Sequence, residues 1–214
     1  VTLDGASANR LAVSRQRFAD LAATVLAAEA AGVARWTLDT ATEYAKVREQ
    51  FGKPIGSFQA VKHMCAEMLL RSQQIAVAAS DAAEAAAVDP SESADAQLSI
   101  ASAVAAATGI DAAKGNAKDC IQVLGGIGIT WEHDAHLYLR RAYGIAQFLG
   151  GRSHNLRRVA ALTLAGIRRE LHIDLESVVD LRPEIVASVA EVAALPVEKR
   201  QIAMAGNGLL APHW

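Results

Sequence analysis

Arg48 to His63 reads R-E-Q-F-G-K-P-I-G-S-F-Q-A-V-K-H, a polar corner broken by Gly52, Pro54 and Gly56. Alanine-rich stretches flank it on both sides. Upstream, apolar residues recur at helical spacing from about Ser14 to Gln50: Leu21, Val25, Leu26, Ala30, Val33, Trp36, Leu38, Ala41, Tyr44 and Val47. At ~1.5 Å rise per residue this predicts a rod of about 50 Å. Glycine and proline stop it at the corner. Downstream, Ser57 is the expected N-cap of a second helix with Phe58, Val61, Cys65, Met68, Leu69 and Ile75 on one face, running to about Val88.

Asp89-Pro90 breaks that pattern. Ser91 or Ser93 restarts it, with Glu92 and Asp95 in the first turn where the helix dipole favours acids. The third helix is expected to reach about Val123. It is lined by Ala101, Ala105, Ala106, Gly109, Ala112 and Ala113, small residues that let a neighbouring helix approach closely. Gly125-Gly126-Ile127-Gly128 ends it. A fourth helix from about Glu132 to Phe148 and a fifth from about Ser153 to Leu171 follow, separated by Gly150-Gly151. Three long helices and a fourth in two pieces make an all-α, antiparallel helical bundle with short connections, and no strand hairpin is expected in it. Glu132, after Thr130, reads as a helix-start residue, while Trp36 and Trp131 read as packing.

Composition bounds the rest. The chain is 52% hydrophobic but only 5% aromatic, so its core must come from close helix approach rather than large side chains. A net charge of −2 with mixed signs gives no reason to expect nucleic acid or an anionic membrane. The alanine-dense run Leu98 to Ala113 is too short to span a bilayer. No signal peptide is read at Val1. Cys65 and Cys120 lie within helical patterns and read as buried free thiols. A soluble cytoplasmic setting is expected. His63, His133 and His136 are spread over separate helices without a carboxylate cluster, so no metal site is expected.

A second unusual stretch, Gln122 to Arg141, reads QVLGGIGITWEHDAHLYLRR. R-x-Q-F-G-K-P-I-G-x-F-Q-x-x-K-H, followed by Q-V-x-G-G-x-G-x-T-W-E-H-D and Leu139-Arg140-Arg141, resembles the C-terminal helical domain of the acyl-CoA dehydrogenases over about residues 1 to 170. The resemblance implies two corners that grip FAD bound mainly by a neighbouring subunit. The residue types suit that task. Arg48 is a permanent planar cation fitted to a pyrophosphate. Gln50, Gln59 and Gln122 offer amides, and Phe51 an aromatic face. Gly125 and Gly126 let the main chain approach a ligand. The family also implies an acyl-CoA substrate, an electron-transfer flavoprotein as electron acceptor, and an oligomer.

The pattern departs from the family where the general base should stand. Most members carry Y-E-G-T after the fourth helix; here that place reads Phe148-Leu149-Gly150-Gly151, so Leu149 occupies the glutamate position. A minority place the base early in the first helix, and an ungapped count from Arg48 lands on Ala22. Neither side chain accepts a proton. The Thr-Ser pair that usually follows the glutamate is replaced by Gly151 and Arg152. Arg182 to Trp214 further resembles the opening of an acyl-CoA dehydrogenase N-terminal domain. The expected organisation is therefore 1–12 as the end of a preceding β domain, 13–171 as the bundle, 172–182 as a linker, and 183–214 as the start of a second copy with additional short helices. Paired, unequal copies in this family shorten sterol side chains as CoA thioesters. Three readings follow: a half that supports flavin at another copy's site, a complete dehydrogenase using Asp20, or a helical scaffold that has lost the flavin.

Overall fold

The computed structural model describes residues 13–170 and 176–210. These fall into two compact units divided after Glu170. The expectation for residues 1–12, and the final apolar tail from Ala211, lie outside the described residues.

The first unit is an all-α antiparallel bundle of α1 (Arg15–Val47), α2 (Gln59–Ala87), α3 (Glu92–Leu124), α4 (Ala135–Phe148) and α5 (Arg152–Leu164). Helix α3 is its axis and packs against all four others. The alanine surface explains why. At Gly109 a side chain would meet the Ala30 methyl at 3.1 Å and Ile75 Cδ1 at 3.2 Å. Only glycine lets α1, α2 and α3 come this close. The core is three aliphatic clusters strung along α1 and α3, one closed by α4, one by α2, and one at the corner end.

Two buried polar nodes fix helix register within this smooth surface. Asn116 donates to Ala34 O at 3.0 Å, Met68 O at 2.9 Å and Ser72 Oγ at 2.9 Å, and accepts from Arg71 Nε at 2.8 Å. Asp20 joins α1 to α3 and α5 through Ser99, Ser102 and Arg158. A half-satisfied group at either place would cost more than an apolar one, so only one alignment of the helices suits both.

The helix limits differ from the sequence expectations in instructive ways. Helix α1 stops at Val47 rather than Gln50, because Glu49–Gln50 (β1) pairs antiparallel with Lys53–Pro54 (β2) in a hairpin that was not expected. Ser57 is not an N-cap: it closes a 3₁₀ turn, and Phe58 precedes α2 without a side-chain cap. Ser91, one of two alternatives, caps α3 by accepting from Ala94 N at 3.1 Å. Helix α4 begins at Ala135, three residues after Glu132, and its free N–H is taken by His133 Nδ1 at 3.0 Å. Helix α5 ends at Leu164, not Leu171: Gly166 turns left-handed at φ +86° while Ile167 N bonds Leu162 O, a Schellman ending. Helices α1 and α3 are both long and apolar enough to cross a membrane, so the estimate from Leu98–Ala113 alone was too short. Helix α3 nevertheless buries most of its apolar surface inside the bundle.

The second unit holds a 3₁₀ turn at Glu176–Leu181, α6 (Arg182–Ala194) with Pro183 in its first turn, and α7 (Val197–Gly206), broken at Leu195-Pro196. Two short helices stand where additional short helices are expected, and the stretch read as a linker holds the 3₁₀ turn.

Candidate functional site

The last turn of α1 carries Tyr44 and Arg48. Arg48 N–H bonds Tyr44 O at 2.9 Å, and Arg48 O accepts from Ile55 N at 2.7 Å, so the arginine backbone is held from both sides. The hairpin then turns on Phe51 and Gly52, at φ +54° and +77°. Two consecutive positive φ values suit the twist of a two-residue hairpin; phenylalanine at the first of them is strained. Behind the hairpin, Gly56 lies so near α1 that a Cβ would stand 2.9 Å from Ala45 O.

Helix α3 ends opposite. Gly125 adopts φ +61°, ψ −132° and returns its N–H to the carbonyls of Ile121 and Gln122. The three glycines of the motif have different tasks. At Gly128 a Cβ would fall 2.7 Å from Ile121 O, so that residue is a packing requirement. At Gly125 and Gly126 an added Cβ meets nothing within 4 Å. Their faces are open.

The two corners meet in one cleft of about 370 Å³, where Arg48, Gln50 and Tyr44 face Gly125, Gly126 and Ile127. This juxtaposition joins residues almost eighty positions apart. Phe51, Gln59 and Gln122 do not line it. Phe51 is 90% exposed and stands edge-on to Phe58, while Gln59 and Gln122 are exposed on the first turn of α2 and the last turn of α3. Tyr44 is the lining residue that sequence reading missed, because its place on an apolar stripe reads as core.

Charge is distributed unevenly around the bundle. Arg17, Arg71, Arg141, Arg152, Arg158 and Arg169 each have an aspartate or glutamate partner. Arg48, like Arg15, Arg140 and Arg157, has none among the described residues, and it is exposed at the cleft. An unpaired guanidinium and an amide, set beside open glycine faces, suit a dinucleotide's phosphates.

At the other end of α1, neither of the two positions where the family carries its base holds a proton acceptor. Leu149 is 8% exposed and packs with Ala23, Ala142, Ile145 and Ala146. Asn155 Nδ2 bonds Leu149 O at 2.8 Å and Gly151 O at 2.9 Å, pinning this corner. Ala22 is on the exposed face of α1. Asp20, two residues away, points inward at 1% exposure. It accepts from Ser99 Oγ at 2.6 Å, Ser102 Oγ at 3.2 Å and Gln16 Nε2 at 3.1 Å, and pairs with Arg158.

A larger apolar groove of about 610 Å³ runs between α1 and α4. Trp36 stacks on Tyr138 there at 3.6 Å, so Trp36 is a groove wall rather than core. Glu29 and Arg141 close its rim as a two-bond ion pair. Hydrogen bonding from Arg141 holds the Glu29 carboxyl below its usual range, against a smaller opposing effect of burial. Trp131 is 79% exposed instead of packed, with His136 edge-on at 4.6 Å. Burial raises the Cys65 thiol and pushes Cys120 up to about 12, so neither is an activated nucleophile.

Fold and site define a class first: an α-helical bundle domain that presents two glycine-broken corners to one cationic cleft. The model of the acyl-CoA dehydrogenase C-terminal domain matches residues 12–164, and the chain belongs to the acyl-CoA dehydrogenase family. It is 72% identical to acyl-CoA dehydrogenase FadE34 of Mycobacterium tuberculosis over its whole length, which is 30% of that protein. Among solved structures it resembles a variant of the Tcur3481-Tcur3483 steroid ACAD, at 33% identity and TM-score 0.63, over 69% of this chain and 39% of that one. It also resembles the ChsE4-ChsE5 complex from Mycobacterium tuberculosis, at 31% identity and TM-score 0.62, over 67% and 37%.

Proposed function

We propose that this chain is the flavin-clasping helical half of an FAD-dependent acyl-CoA dehydrogenase, and that the general base stands in a second, unequal copy. The observation that carries this reading is a contrast within one bundle. Arg48, Gln50, Gly125 and Gly126 converge on an open cleft, while Leu149 and Ala22 make both base positions aliphatic.

The residues present fit the cofactor. Arg48 binds the pyrophosphate, Gln50 hydrogen-bonds its polar edge, and the open faces of Gly125 and Gly126 admit it against the main chain. Phe51, Gln59 and Gln122, exposed outside the cleft, take the neighbouring copy's side of the clasp. Bound FAD supplies the hydride acceptor. Leu149 and Ala22 cannot take the α-proton, a loss of roughly a hundred- to ten-thousand-fold unless another copy supplies a carboxylate. Asp20 is committed to four donors and does not face the Ala22 surface.

Sterol side-chain CoA thioesters are the proposed substrate class, supported by the steroid ACAD named among the relatives. The second copy is supported by the ChsE4-ChsE5 complex. An electron-transfer flavoprotein as acceptor and a cytoplasmic oligomer complete the proposal. The test is Arg48→Ala in the full-length polypeptide. Loss of one charge-assisted contact should weaken FAD about 10- to 100-fold, read from flavin retained after gel filtration; retention equal to the parent protein would refute the reading.

A further inference from the structure

The cleft is lined by a polar side chain, Tyr44, that neither the motif reading nor the family resemblance assigned. Tyr44 stands one helical turn before Arg48 on α1, and i, i+4 residues share a face. Its ring packs against the corner-end core cluster, and its outer edge lines the cleft beside Arg48 and opposite Gly125 and Gly126. Among the described residues its hydroxyl has no protein partner. A half-buried phenol is apolar on its ring and polar at its tip, and the tip ordinarily finds a hydrogen bond when a ligand covers it.

The geometry points to Tyr44 as a second phosphate contact: its hydroxyl donates to an oxygen of the diphosphate-bearing ligand that Arg48 clasps. The inference rests on the flavin-clasping reading above. Rigidity favours the pairing. Arg48 N–H to Tyr44 O is the closing main-chain bond of α1, so the two side chains project from a single fixed turn. The core behind the ring holds the hydroxyl at one depth in the cleft. Arg48 then supplies charge, and Tyr44 supplies a neutral donor whose position depends on a two-torsion side chain rather than a flexible one. A phosphate oxygen is therefore selected over a carboxylate of different reach by two donors set one turn apart.

Apoprotein prepared from the full-length polypeptide is titrated with FAD, comparing the parent with Tyr44→Phe and Arg48→Ala, and each apoprotein is also melted. Tyr44→Phe keeps the ring and removes one oxygen. It should raise the FAD dissociation constant about five- to twentyfold, the range of one hydrogen bond to a charged group at its weaker end, with the apoprotein melting temperature unchanged. Unchanged FAD affinity in Tyr44→Phe beside a large loss in Arg48→Ala would overturn the Tyr44 assignment and leave the cleft reading standing. No loss in either variant would overturn both. A weakened Tyr44→Phe whose apoprotein also melts several degrees lower would overturn the assignment in favour of packing.

Discussion

Asp20 lies two positions from Ala22, yet the helix separates them by about 200°, and they face opposite worlds. Ala22 is exposed, whereas Asp20 is buried among Ser99, Ser102 and Arg158. The carboxylate nearest Ala22 thus works as a pin between α1, α3 and α5. Removing it leaves Arg158 without its partner and the Ser99 hydroxyl without an acceptor, while Ser102 Oγ keeps Ser99 O at 3.2 Å. Asp20→Ala should cost about 3–5 kcal/mol, the usual range for breaking a buried pair from one side, and denaturant unfolding of the variant checks it. A catalytic Asp20 would instead leave stability nearly unchanged and abolish substrate-dependent flavin bleaching. Residues of this kind are poorly legible in a linear sequence. Asp20 can be seen to point away from Ala22, but its partners lie 79 to 138 positions downstream. Tyr44 was hidden differently: an aromatic on an apolar stripe satisfies the core pattern whether or not its tip reaches a ligand.

At the scale of elements, long period-3.6 patterns and glycine or proline stops located all five bundle helices, because burial of one face and backbone restriction are local signals. Their ends were less legible. Ser57 has the chemistry of a cap, but the hairpin before it diverts the chain through a 3₁₀ turn, and no residue type announces that. His133 replaced Glu132 as the start signal of α4, since an imidazole nitrogen can accept an N–H as a carboxylate does. Between α1 and α4 the Glu29–Arg141 pair joins two elements that touch along a short groove. Pairing lowers the folded-state pKa of Glu29, so the ionised form favours the fold. Its contribution is complete above the ordinary glutamate value and fades as pH falls through the lowered one. The stability difference between the parent and Glu29→Gln should therefore be measurable near about pH 7 and diminish as pH falls below the ordinary glutamate value. It should also shrink in high salt, because both side chains are partly exposed. A difference that grows on acidification would contradict the pairing.

For the whole molecule, the function proposed above has the bundle separate two tasks that a one-site dehydrogenase combines. Clasping a dinucleotide needs donors and open backbone at the corner between α1 and α3; accepting a proton needs a carboxylate near the α4–α5 corner. The first set is assembled here and the second is aliphatic. The chain spans 30% of FadE34, so the proposed division is tested in a polypeptide that carries both copies. If each unequal pair of copies shares one competent site, flavin released by denaturation should amount to one FAD per pair. Titration with a sterol side-chain CoA thioester should bleach all of it in a single phase. The same preparation carrying Arg48→Ala should hold less flavin while keeping its helical content, because Arg48 makes no ion pair within the described bundle. Two flavins per pair, both bleached, would require a proton acceptor on this side as well, and the assignment of the base to the other copy would fail.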